Sequence, residues 1–414
     1  MEDKQSWDWS TQLKEIPVSE WKTRFNWVED PCISPDGESV ASIVNLDEMA
    51  FGICVNGDLW DGEHEKAWSL KALPDNRFAA CVCTDEEWGL MVDGRPWENR
   101  FDFIWNLSVT PDGSHVGLAF QRDMEYGMAV DDVPWDTTFE NITGMVMGAG
   151  GGSAAVVQAA SMAAADVDAF AKGLFSVAVN GRPGQHRFLN VWDLSFDNAG
   201  ERLAWAVRFD REQYGIAVEG DVWDGCFQSV WQPVFCDKGD SVAAPVRSGG
   251  KWRLFKNGEC FWTEEYENIW RLLACPANDD IAAIVATDFG KWSVAENSKV
   301  WPVTWDTMVR DLYYSENGNA LAAVFKDKGY WGLALNGTPW ALCCDKIFTP
   351  SMSRDGSVVA VCFEKQGYYY AAVNDKLVTG PYKLMADPVV SPDGTRLLVK
   401  GIENGMYKRK IVIL

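Results

Sequence analysis

Histidine is scarce in this chain, which has only three among 414 residues: His64, His115 and His186. The sequence contains no HExxH motif, no pair of histidines four residues apart and no Cys–His cluster, so a zinc site has no support. It also lacks a GxSxG nucleophile site and a P-loop. We therefore expect no catalytic residue, no metal and no cofactor, and we predict that the protein is not an enzyme.

Long apolar runs and an excess of positive charge are missing as well. No stretch approaches the roughly 20 apolar residues that cross a bilayer, and the start MEDKQSWDWS does not have the pattern of a signal peptide. Lys and Arg total 37 against 60 Asp and Glu, a net charge of −23. Such a chain repels phosphate backbones and anionic headgroups. We expect a cytoplasmic protein without nucleic-acid partners or direct membrane insertion, peripheral to the inner membrane only through its partners.

The sequence is rich in tryptophan, with 22 residues, and in regularly spaced turns. Turns of the Asn-Gly type follow a short hydrophobic strand at intervals of 37 to 40 residues, with one interval of 49. Asn and Gly tolerate the positive φ of a two-residue hairpin. The first turn residues are Asn56, Asp93, Asp131, Asn180, Glu219, Asn257, Asn297, Asn336 and Asn374. A second turn, of the form SPDG at Ser34, occurs about 20 residues earlier in each period and is found ten times.

Each period therefore predicts four short strands, the size of one propeller blade. The aromatic residue after the hairpin, taken as position zero, is followed by an aromatic residue at +4, an aliphatic one at +7 and often Trp at +8. In one period these are Trp97, Phe101, Ile104 and Trp105. Gly184 has lost the first Trp, although the later positions keep the frame. We predict an all-β chain that forms a single β-propeller of about ten four-stranded blades, with nine or eight as alternatives.

The last period lacks a fourth strand, so the N-terminal segment is expected to supply one and close the ring. Trp21 precedes Ser34 by the same 13 residues that separate Trp223 from Cys236. We predict that residues 18–25 form the outer strand of the last blade, after an N-terminal arm of residues 1–17, and that residues 18–414 form the propeller. An insertion in the fourth repeat, residues 158–173, has the spacing of a short helix. It is either a docking feature or a tolerated surface insertion.

Tryptophans at repeat positions are expected to pack between blades, so the others are better candidates for a binding surface. Two lie in the polar N-terminal arm, and four occupy equivalent sites near the start of the third strand of a period. The candidate binding surface consists of Trp7, Trp9, Trp88, Trp252, Trp292 and Trp331.

The SPDG turn followed by an apolar strand resembles the WD40-like repeats of TolB-type propellers over nearly the whole chain, without the GH and WD signatures of true WD40 blades. The tryptophan content, length and repeat style also resemble TmcD, the tryptophan-rich subunit type of the Tmc transmembrane redox complex of sulfate-reducing bacteria. That resemblance implies a cytoplasmic subunit close to a membrane cytochrome and an Fe–S protein, with no redox centre of its own.

Three functions are compatible with the sequence. The leading hypothesis is a non-catalytic protein-interaction scaffold, a cytoplasmic subunit of a membrane-associated electron-transfer complex. Its partners are then other protein subunits, with redox proteins of a membrane complex implied by the resemblance. The alternative is a ligand- or glycan-binding propeller that uses aromatic side chains. The third is a hydrolase without a recognisable motif.

Overall fold

The computed structural model describes residues 4–160 and 173–414, and these form ten antiparallel sheets. Each sheet is one blade. In nine blades the strands pair in chain order from the first to the fourth, and in the last blade the N-terminal segment supplies the fourth strand. The first strand of four blades is in two pieces. The prediction of an all-β propeller with ten four-stranded blades is confirmed. Among the described residues, no helix is long and apolar enough to cross a membrane.

Blades are numbered in chain order, and their strands are called innermost, second, third and outermost. In blades 1 to 5 these are Trp27–Val28 with Cys32–Ile33, Val40–Asp47, Ala50–Val55, Asp58–Leu59; Lys66–Ala72, Phe78–Thr84, Glu87–Val92, Arg95–Pro96; Phe103–Val109, Val116–Arg122, Glu125–Val130, Val133–Pro134; Ile142–Met147, Ser153–Gln158, Phe175–Val179, Arg182–Pro183; and Asn190–Phe196, Leu203–Arg208, Tyr214–Val218, Asp221–Val222.

In blades 6 to 10 they are Ser229–Val230 with Val234–Cys236, Ser241–Ser248, Lys251–Lys256, Glu259–Tyr266; Asn268–Ala274, Ile281–Asp288, Lys291–Glu296, Lys299–Val300; Met308–Tyr314, Leu321–Asp327, Tyr330–Leu335, Thr338–Pro339; Lys346–Ile347 with Ser351–Met352, Val359–Lys365, Tyr368–Val373, Lys376–Tyr382; and Leu384–Met385 with Val389–Val390, Arg396–Glu403, Met406–Ile413, Leu13–Ile16. Short 3-10 turns span Lys4–Ser6, Val18–Glu20 and Asp237–Gly239, and one helical turn spans Trp21–Arg24.

The two predicted turns of each period lie at the same end of the blade and are joined by a side chain. In blade 1, the N–H of Val40 donates to Oδ1 of Asn56 at 2.9 Å, and the N–H of Asn56 donates to the carbonyl of Val40 at 2.9 Å. Asn56 has a φ of 54°, the left-handed conformation that asparagine tolerates. Seven other blades repeat the side-chain bond, with Asn, Asp or Glu as the acceptor. The turn chemistry therefore sets where the second strand begins.

Ten clusters of buried apolar side chains lie between consecutive blades of the described chain. One of these clusters joins blade 10 to blade 1 through Ile16, Trp21, Val40 and Tyr407. Ten contacts between ten blades make a closed ring. The core is therefore distributed around the ring in blade-to-blade layers, and no single central core holds it together.

The N-terminal segment closes the ring, but the strand that does so differs from the predicted one. Leu13–Ile16 pairs antiparallel with Met406–Ile413, with Ile16 opposite Tyr407. The segment predicted as this strand, residues 18–25, instead forms the turns Val18–Glu20 and Trp21–Arg24. The predicted arm, residues 1–17, therefore contains the outermost strand of blade 10, and the propeller begins at residue 13.

The error in that prediction has a simple cause. In seven of the other blades the outermost strand ends directly before the position of the repeat Trp, as Asp58–Leu59 precedes Trp60. Trp21 does occupy the place of a repeat Trp, because it is buried between blades 10 and 1. The strand that belongs to it must therefore lie earlier in the chain, before Pro17, whose missing N–H cannot continue the pairing. The helix predicted within the insertion, residues 158–173, falls mostly on residues 161–172, which lie outside the described residues.

Candidate functional site

The innermost strand of every blade is interrupted near the middle. In six blades the interruption is a β-bulge, as between Trp68 and Lys71 in blade 2. In the other four blades a proline separates two short pieces; these residues are Pro31, Pro233, Pro350 and Pro388. A bulge or a proline is tolerated on an edge strand, where one side of the backbone is unpaired. The interruption breaks the regular register, so the side chains of the first half of each innermost strand do not follow the alternation of the half that leads to the SPDG-type turn.

Aromatic side chains collect on or next to the first half of these strands, and together they are called the inner aromatic rim. The rim consists of Trp27, Trp68, Phe103, Trp105, Trp192, Trp231 and Trp270. Four of them keep a large exposed fraction: Trp27 51%, Trp68 36%, Phe103 40% and Trp270 46%. Single exposed apolar residues are ordinary on a protein surface, whereas adjacent ones indicate an interaction site.

The rim residues of blades 2 and 3 form a continuous stack. The ring centroids of Trp68 and Phe103 are 5.9 Å apart with planes 20° apart, and Phe103 and Trp105 are 6.2 Å apart, also at 20°. Trp88 packs edge-on beneath Trp68 and Phe103, at 6.1 and 5.6 Å. On another part of the ring, Trp231 contacts Trp270 edge-on at 5.6 Å. These offset and edge-on contacts hold the exposed rings in fixed orientations.

A cavity of about 490 Å³ opens between the innermost strands of blades 1 and 2, beside the rim. It is lined by Trp27, Glu29, Asp30, Ser69 and neighbouring residues. Desolvation raises the pKa of Glu29, and the negative charge of Asp30 raises it further. A cation placed in this cavity would therefore relieve unfavourable negative charge while contacting an aromatic ring.

The other end of the innermost strands surrounds a larger cavity of about 890 Å³, lined by residues of six blades and by Lys4, Gln5 and Trp7. Trp7 stacks on Trp9, with centroids 6.2 Å apart, and Trp9 Nε1 donates to the carbonyl of Lys4 at 2.8 Å. Asp387 and Lys400 also line this cavity. Burial raises the pKa of Asp387, and the charge of Lys400 opposes that rise. The N-terminal arm thus folds onto a chamber lined by both apolar and polar side chains.

The six tryptophans predicted as a binding surface are not brought together. Trp7 and Trp9 lie in the arm, at the end of the ring that carries the turns. Trp252 is buried in the layer between blades 6 and 7, and Trp88, Trp292 and Trp331 pack against the corresponding layers of their own blades. The third-strand tryptophans are therefore mainly support for neighbouring side chains, as Trp88 is for Trp68 and Phe103. Their direct role in binding stays a prediction.

The rim itself was overlooked as a site, although its signal is present in the sequence. Five rim tryptophans occupy position +8 of the repeat motif: Trp68, Trp105, Trp192, Trp231 and Trp270. That position falls on the innermost strand, just before its interruption. A Trp that recurs on an edge strand is a candidate that the sequence alone can indicate. Its degree of exposure cannot be predicted from the sequence, because it depends on the packing of the next blade.

No histidine of the described chain combines with both a nucleophile and a carboxylate. His64 Nδ1 lies 3.0 Å from Thr84 Oγ1, and His115 Nδ1 lies 2.5 Å from Asp131 Oδ2. Burial lowers the pKa of His64, and the charge of Arg100 lowers it further. Within the part of the chain that the structure covers, no group of three or more His, Cys, Asp or Glu could hold a metal ion.

No protein-family model matches this sequence, and no curated protein is significantly similar to it. The fold is similar to a eukaryotic initiation factor, with a TM-score of 0.46 and 10% identity over 86% of this chain and 88% of that chain. It is similar to the β-propeller domain of Cps50 (Swd1) from Myceliophteria thermophila, with a TM-score of 0.33 and 13% identity over 66% and 96%. A prolyl endopeptidase gives 0.40 and 11% over 85% and 57%. The ten-bladed ring is established by the strand pairing of this chain itself.

Proposed function

We propose that this propeller is a non-catalytic protein-interaction scaffold that binds its partner through the inner aromatic rim. The observation that carries the proposal is the exposure of Trp27, Trp68, Phe103 and Trp270 on the innermost strands. Tryptophan and other aromatic residues are enriched in the centre of protein interfaces and dominate their binding energy. Rings already fixed by stacking lose little side-chain entropy when a partner binds.

The partner is expected to present lysine or arginine side chains. The chain has a net charge of −23, so a basic surface is attracted to it over a distance. The cavity beside Trp27 places the carboxyls of Glu29 and Asp30 next to an indole. That combination suits an ammonium or guanidinium group, which pairs with carboxylates and packs on aromatic faces.

The more specific proposal is a cytoplasmic subunit of a membrane-associated electron-transfer complex. It is supported by the resemblance in tryptophan content, length and repeat style described above. In that role the propeller holds redox subunits in position and contributes no redox centre of its own. The absence of a phosphate-binding or membrane-binding charge pattern in the sequence agrees with attachment through protein partners.

Affinity capture from a native lysate of the source cells, with partner subunits identified by mass spectrometry, tests both levels of this proposal. Wild type should recover a defined subunit set, and Trp68→Ala should recover at least tenfold less of it. Phe261→Ala is the matched control, because Phe261 is 45% exposed but lies on an outermost strand. Equal recovery by Trp68→Ala and wild type would exclude the rim. Captured subunits without a haem or Fe–S absorption band would exclude the electron-transfer role.

Ligand or glycan binding is the second candidate function. Trp68 and Phe103 stack on each other and are both partly exposed, so a sugar ring could pack on the exposed side of the pair. Calorimetric titration with a neutral oligosaccharide such as chitohexaose distinguishes it from the scaffold. Saturable binding that Trp68→Ala abolishes would favour this function, and no heat change would count against it.

A further inference from the structure

Two junctions of the ring lack the tryptophan that the other eight contain, and at one of them glycine leaves the position without a side chain. Position zero of the repeat motif is tryptophan at eight of ten junctions, and Gly184 and Val378 occupy the other two. Each of these tryptophans packs between its own blade and the next; Trp135, for example, lies under Gly181 in the following turn. The eight are Trp21, Trp60, Trp97, Trp135, Trp223, Trp262, Trp301 and Trp340.

The backbone at Gly184 keeps the geometry of a tryptophan position. Its N–H donates to the carbonyl of Val177 at 2.8 Å, and the N–H of Trp301 donates to the carbonyl of Val294 at the same distance. Ser176 Oγ donates to the carbonyl of Gly184 at 3.1 Å. In blade 7 the equivalent Ser293 Oγ bonds the carbonyl of Trp301 at 3.4 Å. The same local bonding thus accommodates an indole in blade 7, so only the side chain is missing at Gly184.

A cavity of about 270 Å³ occupies this junction between blades 4 and 5. Its lining includes the buried apolar side chains Val177, Phe188, Leu203 and Trp205. Polar side chains of both charges also line it, and these are Arg182, His186, Glu219 and Asp221. An apolar floor with a few convergent polar groups is the usual composition of a binding pocket.

Trp205 fills part of the missing volume but does not restore the junction. It lies two residues after Leu203, whose N–H bonds the turn residue Glu219, and the equivalent position carries Ala155 in blade 4 and Ala244 in blade 6. Trp205 is only 7% exposed, and its Nε1 has no acceptor among residues 4–160 and 173–414. By contrast, Trp135 Nε1 donates to Ser153 Oγ at 2.9 Å. A cavity and an unpaired buried donor together show that this junction is incomplete.

We propose that this cavity is a binding site for an indole ring, namely the side chain of a tryptophan presented by a partner protein. The occupant is inferred from the rest of the propeller, since eight equivalent junctions each hold an indole between two blades and Gly184 keeps the backbone bonds that accompany one. The inference that a partner protein supplies this tryptophan rests on the proposed scaffold function. A single tryptophan inserted into a preformed pocket is the usual form of an interface hot spot.

Binding of 5-fluoroindole, followed by fluorine NMR on the full chain, tests the site without any partner. Wild type should bind one molecule saturably. Gly184→Trp, which fills the cavity from within, should weaken binding at least tenfold. Gly184→Leu provides a second filled variant in case the first does not fold. Trp301→Gly is the matched control: it creates the same vacancy beside Ser293, so it should add a second binding site.

Each outcome of the binding experiment either supports or overturns the proposed site. No saturable binding to wild type overturns the site, and so does binding that both filled variants retain. Affinity capture then separates the site from the scaffold function. If wild type binds 5-fluoroindole but captures no subunit, the site stands and the scaffold function fails. If Gly184→Trp captures the partner as well as wild type does, the partner tryptophan is excluded as the occupant. Loss of capture by Gly184→Trp together with retained capture by Phe261→Ala supports the proposal.

Discussion

Arg409, in the third strand of blade 10, forms an ion pair with Glu38 of blade 1, and its Nε lies 2.7 Å from Oε1 of that glutamate. The same Nε donates to the carbonyl of Asp36 at 3.0 Å, and the arginine side chain is fully buried. Lys14, in the N-terminal strand of blade 10, pairs with the other carboxylate oxygen of Glu38 at 2.9 Å. Glu38 therefore joins the two ends of the chain where the ring closes.

Replacing this arginine should weaken the closure. Arg409→Leu leaves the carbonyl of Asp36 and Oε1 of Glu38 without their donor, and we expect the free energy of unfolding to fall by about 3 kcal/mol. Urea denaturation measures the change. Arg354→Leu is the control, because Arg354 pairs with Glu316 at 3.3 Å on the surface and should cost less than about 1 kcal/mol. Equal losses in the two variants would contradict a special role for Arg409.

Removal of the N-terminal strand should expose a sheet edge. Deleting residues 1–17 removes Leu13–Ile16 and leaves Met406–Ile413 as an unpaired edge strand, and such edges promote association. We expect concentration-dependent oligomers in light scattering and a lower Tm. Deleting residues 1–7 keeps the strand and should leave a monomer-sized particle. If the shorter deletion associates as strongly, the arm and not the strand protects the ring.

The blade count was predictable because local chemistry repeats. Each Asn-Gly-type turn requires a residue in the left-handed conformation, and Asn56 and Asn336 both adopt it. Each such turn marks one hairpin, independently of the rest of the structure. Closure by the N-terminal segment was predicted correctly, but the residues that form the closing strand were not. The motif indicates that Trp21 is buried between two blades. It does not indicate which residues pair with Met406–Ile413, because that depends on contacts between the two ends of the chain.

The candidate sites needed information that a single sequence does not contain. The missing tryptophan at Gly184 is visible in the motif, whereas its partial replacement by Trp205 depends on which residues of blade 5 face blade 4. Similarly, Trp68 and Trp262 are both repeat-associated tryptophans, yet Trp68 is exposed and Trp262 is buried. The difference arises from packing between blades, since position zero faces a neighbouring sheet and position +8 lies at an edge.

That difference predicts unequal effects on stability. Trp262→Ala removes a buried indole from the layer between blades 6 and 7 and should cost about 3–5 kcal/mol. Trp27→Ala removes an indole that is half exposed, and we expect a loss of less than about 1 kcal/mol. Chemical denaturation of both variants checks the pair. A large loss for Trp27→Ala would show that the rim is structural, and it would remove Trp27 from the proposed binding surface.

The aspartate of the SPDG-type turn should titrate at unusually low pH. In blade 9, hydrogen bonds from Ser353 Oγ at 2.7 Å and from the N–H and Oγ of Ser357 hold the pKa of Asp355 at about 2, against an ordinary value of 3.8. Because the folded pKa is the lower one, this turn stabilises the fold above pH about 4 and loses that contribution as the pH falls toward 2. Carbon-13 NMR of the side-chain carboxyls measures the titration directly.

Ser353→Ala isolates the cause of that shift. The variant removes the largest hydrogen bond to Asp355, so the pKa of Asp355 should rise toward 3.8. Asp393 provides an internal control in the same spectrum, because its pKa of about 2 depends on Ser391 and Thr395 in blade 10. It should not move. If both aspartates shift together, the turn conformation has changed as a whole. If Asp355 already titrates near 3.8 in the wild type, the hydroxyl and amide donors do not act on its carboxylate as the turn geometry requires.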